Sequence, residues 1–268
     1  MIRWKIEWRK PVLAAGLLGV MAGFFVQGGS AAGQDKPRFV LGDTLYENRF
    51  SGPEDVADWV VESRKEGHPV ITSHEGRMRL ESDVHFLLWC PEEFPDKIAV
   101  SWEFQPKVDR GLAMFWIAAT GANGKDLFDP SLAPRDGSYP QYRSGDINAL
   151  HVAYFRRNHP REGGFHEINF QTVSLRKSTV RDTGPRVAES GDPIPAAQYA
   201  IRPYRMQVIK YGPHFRLTIN DLVVIDWKDG AEEALVLEGG KIGFRQMAGL
   251  IAEYANLRVN RVSKVPED

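Results

Sequence analysis

A period of two runs through most of the chain. In Ile98-Ala99-Val100-Ser101-Trp102-Glu103-Phe104 the even positions are large and apolar and the odd ones small or polar, which predicts a half-buried strand. Tyr204, Met206 and Val208 alternate with Arg205 and Gln207, and Phe215, Leu217 and Ile219 with Arg216, Thr218 and Asn220. Asn220-Asp221 then predicts a tight turn into a partner strand over Leu222–Trp227, closing a hairpin. Further strands are expected at Lys241–Met247 and Tyr254–Val259. Leu112–Ala119 is apolar without a break, the pattern of a strand covered on both faces. Helical character is confined to Pro53–Trp59, where Pro53 suits a first turn. Many short strands punctuated by Gly and Pro predict an all-β fold, a jelly-roll sandwich of two antiparallel sheets.

Two irregular stretches break this rhythm. Thr120–Asn148 carries Pro130, Pro134 and Pro140; Ser178–Ala197 carries Pro185, Pro193 and Pro195. Loops of this length inside a domain are functional or disordered. Phe128, Tyr139 and Tyr142 argue against disorder in the first, so both are expected to wall a cleft.

The N-terminus follows a different grammar. Arg3, Lys5, Arg9 and Lys10 precede an apolar run from Pro11 to Val26, and Ser30-Ala31-Ala32 offers small residues for cleavage. This predicts a secretory signal peptide over residues 1–32 and one domain over 33–268, placed in the periplasm or outside the cell. The rival is an uncleaved anchor, but the run is shorter than the roughly 20 residues that span a bilayer. No stable membrane insertion is therefore expected after cleavage. Cys90 is the single cysteine, so no intrachain disulfide can form. Its setting in Phe86-Leu87-Leu88-Trp89-Cys90 reads as a small buried hydrophobe. Net charge is −1, and falls to about −4 without the four basic residues and Glu7 of the leader. No basic stripe for nucleic acid is present. Seven Trp and eight Tyr suit sugar stacking and an ordinary core equally.

Several longer stretches carry a family likeness. Gly137-Ser138-Tyr139 through Gly145-Asp146-Ile147-Asn148, then His151-Val152-Ala153-Tyr154-Phe155-Arg156-Arg157, resemble the bacterial YesU-like proteins. So do Leu175-Arg176-Lys177-Ser178, Gly191-Asp192-Pro193-Ile194-Pro195, Gly243-Phe244-Arg245-Gln246-Met247 and Tyr254-Ala255-Asn256-Leu257-Arg258. The likeness spans about Leu45 to Val262, and departs from the pattern at Phe170–Ser174, where extra residues stand before Leu175. It implies a concanavalin-A-like jelly roll with a concave, glycan-holding face and long cleft-side loops. It also implies company with polysaccharide degradation, without fixing a reaction.

Glycoside hydrolysis uses paired carboxyl groups, and the Glu-x-Asp-x-x-Glu strand of retaining glucanases is missing; Asp146 and Glu167 are the residual carboxylates. Elimination from a uronic acid needs a cation against the substrate carboxylate, a base and a proton donor. His151 is the candidate base, Arg176 and Lys177 the charge-offsetting cations, and Tyr154 the proton donor provided a bulge turns it inward. Without a bulge, His151, Ala153, Phe155 and Arg157 share one face and Val152, Tyr154 and Arg156 the other. Tyr139, Tyr142, Arg157, His166 and Asn169 are the candidate substrate contacts. No zinc spacing occurs and no cofactor is required; Asp126, Asp129, Asp136 and Asp146 form a loop that could take calcium through oxygens. The leading expectation is a secreted enzyme acting on a polysaccharide or oligosaccharide, by elimination or unconventional hydrolysis. Its rivals are a non-catalytic glycan binder and a partner-binding sandwich.

Overall fold

Fifteen strands build the described part of the computed structural model, which covers residues 38–67, 69–157, 172–179, 186–191, 193–230 and 236–265. They are β1 (Phe39–Asn48), β2 (Val60–Ser63), β3 (Val70–His74), β4 (Arg77–Glu81) and β5 (Phe86–Trp89). Next come β6 (Ile98–Pro106), β7 (Gly111–Gly121), β8 (Ile147–Arg157), β9 (Thr172–Ser178) and β10 (Arg186–Gly191). The last are β11 (Tyr204–Tyr211), β12 (His214–Ile219), β13 (Leu222–Lys228), β14 (Lys241–Gln246) and β15 (Ile251–Lys264). One short helix, α1 (Tyr139–Arg143), stands between β7 and β8.

The strands form two antiparallel sheets. One has eight strands in the order β13-β12-β11-β6-β15-β4-β3, with β1 also paired to β15; the other has seven, β10-β9-β8-β7-β14-β5-β2. Their facing sides close over one core. Val100, Trp102 and Phe104 of β6 meet Phe115 of β7, Val152 and Tyr154 of β8 and Phe244 of β14 there, all buried. Trp102 stacks on Phe115 with ring centroids 4.5 Å apart. Cys90 is fully buried in this core, and burial pushes its thiol up to about 11, which keeps it protonated and unreactive. The Asn220-Asp221 turn has both residues at positive φ (49° and 68°), as a two-residue hairpin between twisted strands requires.

The seven-stranded sheet is covered on its outer side too, which explains the unbroken apolar run of β7. Ala113, Phe115 and Ile117 face the core between the sheets, while Leu112, Met114 and Trp116 join Leu87, Trp89 and Tyr142 in a second buried cluster. The first long irregular stretch supplies the cover, through Leu127, Phe128, Tyr139 and Tyr142. The helix expected at Pro53–Trp59 is a single 3₁₀ turn, Pro53–Val56. The second irregular stretch is not loop throughout. Its Arg186–Gly191 segment pairs with β9 as the edge strand β10, and an edge strand with little to bury leaves no alternation to read.

Candidate functional site

Strand register assembles a row of side chains on the outer side of the seven-stranded sheet. Gly243 of β14 pairs with Trp116 of β7, Trp116 with His151 of β8, His151 with Arg176 of β9, and Arg176 with Arg186 of β10. A second row runs through Arg245, Met114, Ala153 and Ser174. His151, Arg176 and Arg186 of the first row and all four residues of the second floor a cavity of about 200 Å³, which His85, Tyr139 and Arg156 also line. Four arginines and two histidines therefore face one small space, and no carboxylate lines it among the described residues. Arg186 is ion-paired to Glu189 of its own strand. His85 accepts the Ala248 N–H on Nδ1 at 3.0 Å, so the proton of its neutral ring sits on Nε2.

His151 forms the centre of the floor and has no exposed surface. Its ring stacks on Trp116 at 4.0 Å between centroids and 18° between planes. Its Nε2 lies 3.1 Å from the Tyr139 hydroxyl, with the two rings nearly perpendicular at 87°. Burial, then the charges of Arg176, Arg245 and Arg143, hold its pKa well below the ordinary 6.5, so the imidazole is neutral at physiological pH. Burial raises the Tyr139 phenol, and Arg176 and Arg245 pull the other way.

A linkage effect follows. The unfolded chain takes up a proton at this histidine below about pH 6.5, while the native site refuses it. Stability is full above that pH and falls as pH falls, by up to ~1.4 kcal/mol per unit. Wild type should lose more denaturant resistance between about pH 7.5 and about pH 5 than His151→Gln does. Identical pH slopes for the two proteins would show that His151 is not the group responsible.

Tyr139 owes its place to a buried anchor beneath the loop. Glu62 of β2 accepts Trp89 Nε1–H at 2.9 Å on one oxygen and Arg135 Nε–H at 3.0 Å on the other, which also lies 2.7 Å from Arg135 Nη2 as an ion pair. Arg135 Nη2 also donates to the Leu127 carbonyl at 2.8 Å, and both charged side chains are nearly closed off from solvent. Two residues on, Gly137 sits at φ +84°, where an added Cβ would lie 2.3 Å from the His85 carbonyl oxygen. Its N–H donates to the Tyr142 hydroxyl and its carbonyl accepts Arg245 Nη2–H, both at 2.9 Å. α1 then starts at Tyr139 with Pro140 in its first turn, and the Arg245 guanidinium lies 5.3 Å from the Tyr139 ring centre.

Residues 43–259 match the family described as Domain of unknown function (DUF1961). The chain belongs to the DUF1961 family. The uncharacterized protein YesU of Bacillus subtilis (strain 168) is 44% identical to it over 225 residues, 82% of this chain and 96% of that protein. A crystal structure described as a protein of unknown function with a galectin-like fold, also from Bacillus subtilis, superposes with a TM-score of 0.75. That match is 40% identical and covers 85% of this chain and 100% of the other. An endo-β-1,3-glucanase from Pyrococcus furiosus matches with a TM-score of 0.56 at 10% identity, covering 85% and 100%, a likeness of fold alone.

On this DUF1961 frame the structure brings together His151, Tyr139 and Arg176 and separates the remaining expected residues. β8 does contain a bulge: Ala113 pairs with Phe155 and Met114 with Ala153, leaving Tyr154 as the extra residue. It does not turn Tyr154 outward. Tyr154 and Phe155 both enter the core between the sheets, Tyr154 edge-on to Trp102 and Phe104, and burial raises its phenol far above the ordinary range. Tyr154 is therefore a core residue and no proton donor for the cavity.

The bulge also swaps the residues beyond it, so Arg156 lines the cavity and Arg157 does not. Arg157 donates to Asp109 at 3.0 Å and to the carbonyls of Ile194 and Pro195 at 2.6 and 3.1 Å, which makes it a loop anchor. Lys177 is ion-paired to Asp229 away from the cavity, because neighbours on a strand face opposite ways. Tyr142 is fully buried against Trp116 and supports Gly137, so it meets no ligand. His166, Asn169, Glu167 and the leader lie outside the described residues.

The aspartates considered for calcium serve their own loop. Asp126, Asp129, Asp136 and Asp146 accept the backbone N–H groups of Phe128, Ser131, Ser138 and Ala133. Among the described residues no three His, Cys, Asp or Glu side chains gather as a metal site. No helix among them is long and apolar enough to cross a membrane. Arg156, Arg186, Arg245 and His85 are site residues that sequence reasoning missed. Arg245 alone carried a signal, since alternation with Phe244 sets the two on opposite faces of an expected strand.

Proposed function

We propose that this protein is an exported, carbohydrate-active enzyme whose cavity holds an acidic saccharide unit and cleaves the chain by elimination beside its carboxylate. The observation that carries the reading is the cavity lining: Arg156, Arg176, Arg186 and Arg245 converge on one space that no described carboxylate lines. Guanidinium groups grip carboxylates through paired, charge-assisted hydrogen bonds. A neutral sugar can accept their N–H groups but offers no charge to match them. The volume, about 200 Å³, lies below the ~300–1,000 Å³ of drug-sized sites and suits one sugar unit with its acid group.

Among the described residues the lining offers no pair of carboxyl groups of the kind hydrolysis uses, about 5 to 9.5 Å apart across the bond. Elimination asks for positive charge where the carboxylate becomes enolate-like, and for a proton acceptor beside the acidic carbon. The arginines meet the first need and the Tyr139–His151 pair the second. The glucanase of the same fold acts, by its name, on a glycan, which makes a saccharide the first ligand to try. Export rests on the basic start and short apolar run of the leader.

The test uses the protein without its leader against polygalacturonate, alginate, a glycosaminoglycan and a neutral glucan. The expected result is tighter binding of acidic chains and ultraviolet absorbance from an unsaturated uronate product. Equal binding of neutral and acidic chains would overturn the anion reading. Selective binding without any unsaturated product would replace the enzyme with a glycan-binding protein.

A further inference from the structure

We infer that Tyr139 is the catalytic residue that meets the acidic carbon of the substrate, with His151 behind it as the group that takes the phenolic proton. The inference rests on the elimination reading and assigns its proton path. His151 has no surface open to a ligand, whereas Tyr139 is half-buried, lines the cavity and places its hydroxyl 3.1 Å from His151 Nε2. A substrate on the arginines therefore reaches the phenol before the imidazole. The His151 ring is fixed by its stack on Trp116, and the Tyr139 ring by its right-angled contact with His151 and the Arg245 guanidinium.

The step balances without any co-reactant. Tyr139 Oη takes the proton from the carbon next to the substrate carboxylate, while its own hydroxyl proton passes to His151 Nε2. The C–H electron pair becomes the new C=C bond, and the adjacent C–O bond breaks with its pair on the leaving oxygen. His151 then returns its proton through Tyr139 to that oxygen. The tautomer this path needs carries its proton on Nδ1, which has no hydrogen-bond partner among the described residues.

The surrounding charges make the relay depend on the ligand. Arg176 from β9, Arg245 from β14 and Arg143 from α1 all disfavour a proton on His151, and Arg156 of its own strand adds positive charge to the cavity. A bound carboxylate offsets that field, so an acidic ligand should raise the proton affinity of His151. The free site rests neutral, and the occupied site is the one able to accept.

The experiment pairs kinetics with calorimetry on oligogalacturonates. Tyr139→Phe and His151→Gln should each lower kcat by about 10²–10⁴-fold, the usual worth of acid–base catalysis, with little change in Kd. The double variant should be no slower than the slower single, as expected of residues that act as a unit. The kcat of wild type should fall on the acid side, where His151 of the occupied site is already protonated, and that acid limb should disappear from the residual activity of His151→Gln. A Tyr139→Phe protein that eliminates at the wild-type rate would overturn the relay and leave the elimination reading standing. A wild type that gives no unsaturated product from any acidic glycan would overturn both.

Discussion

Arg135→Ala should destabilise the protein by about 3–5 kcal/mol, the cost of leaving a buried charge without its partner. The carboxylate at stake is Glu62, which Arg135 meets through two nitrogens at 3.0 and 2.7 Å under a nearly solvent-free cover. After truncation Glu62 keeps the Trp89 indole, and the Leu127 carbonyl loses its donor. The penalty is desolvation of an unpaired ion more than loss of attraction, and a double-mutant cycle can tell these apart. Glu62→Gln added to Arg135→Ala removes the charge and should restore part of the loss. The effect should reach the site, because this pair clamps the loop that presents Tyr139. Denaturant unfolding of Arg135→Ala within about 1 kcal/mol of wild type would show that the pair is a bystander.

Much of the fold was legible because a pleated strand writes its period into the chain. The alternation in β6, the Asn220-Asp221 hairpin and the doubly covered β7 followed from residue order alone. The site was legible in its pieces and illegible in its pairing. Arg176 and Lys177 are equivalent as text, and the register of β9 on β8 decides which one stands beside His151. The bulge at Tyr154 exchanges the faces of Arg156 and Arg157, because one extra residue reverses every side chain after it. Arg135 and Glu62 stand 73 residues apart and leave no local trace of each other. The edge strand β10 hid in a Pro-flanked stretch because it pairs on one side and has few apolar residues to alternate.

Arg176→Ala should weaken binding of acidic oligosaccharides about 10–100-fold and leave neutral ones unaffected. Hydrogen bonds to a charged group are worth about 1.5–3 kcal/mol, and about 1.4 kcal/mol makes a decade of affinity. Arg176 is the arginine to test first because it stands directly across the ladder from His151, on the cavity side, and its charge reaches both His151 and Tyr139. A carboxylate held there would lie next to the Tyr139 hydroxyl, where the acidic carbon must be. Arg176→Lys should recover only part of the loss, since an ammonium keeps the charge and gives up the two-pronged grip. Salt separates charge recognition from shape. Raising ionic strength should weaken wild-type binding more than that of Arg176→Ala, because screening removes an attraction the variant has already lost. Truncation at Arg176 also removes one of the charges that keep His151 deprotonated, so the variant should bind a proton at His151 more readily in the free state. A loss of affinity equal for acidic and neutral ligands would mark Arg176 as a wall residue and move charge recognition to Arg156 or Arg245.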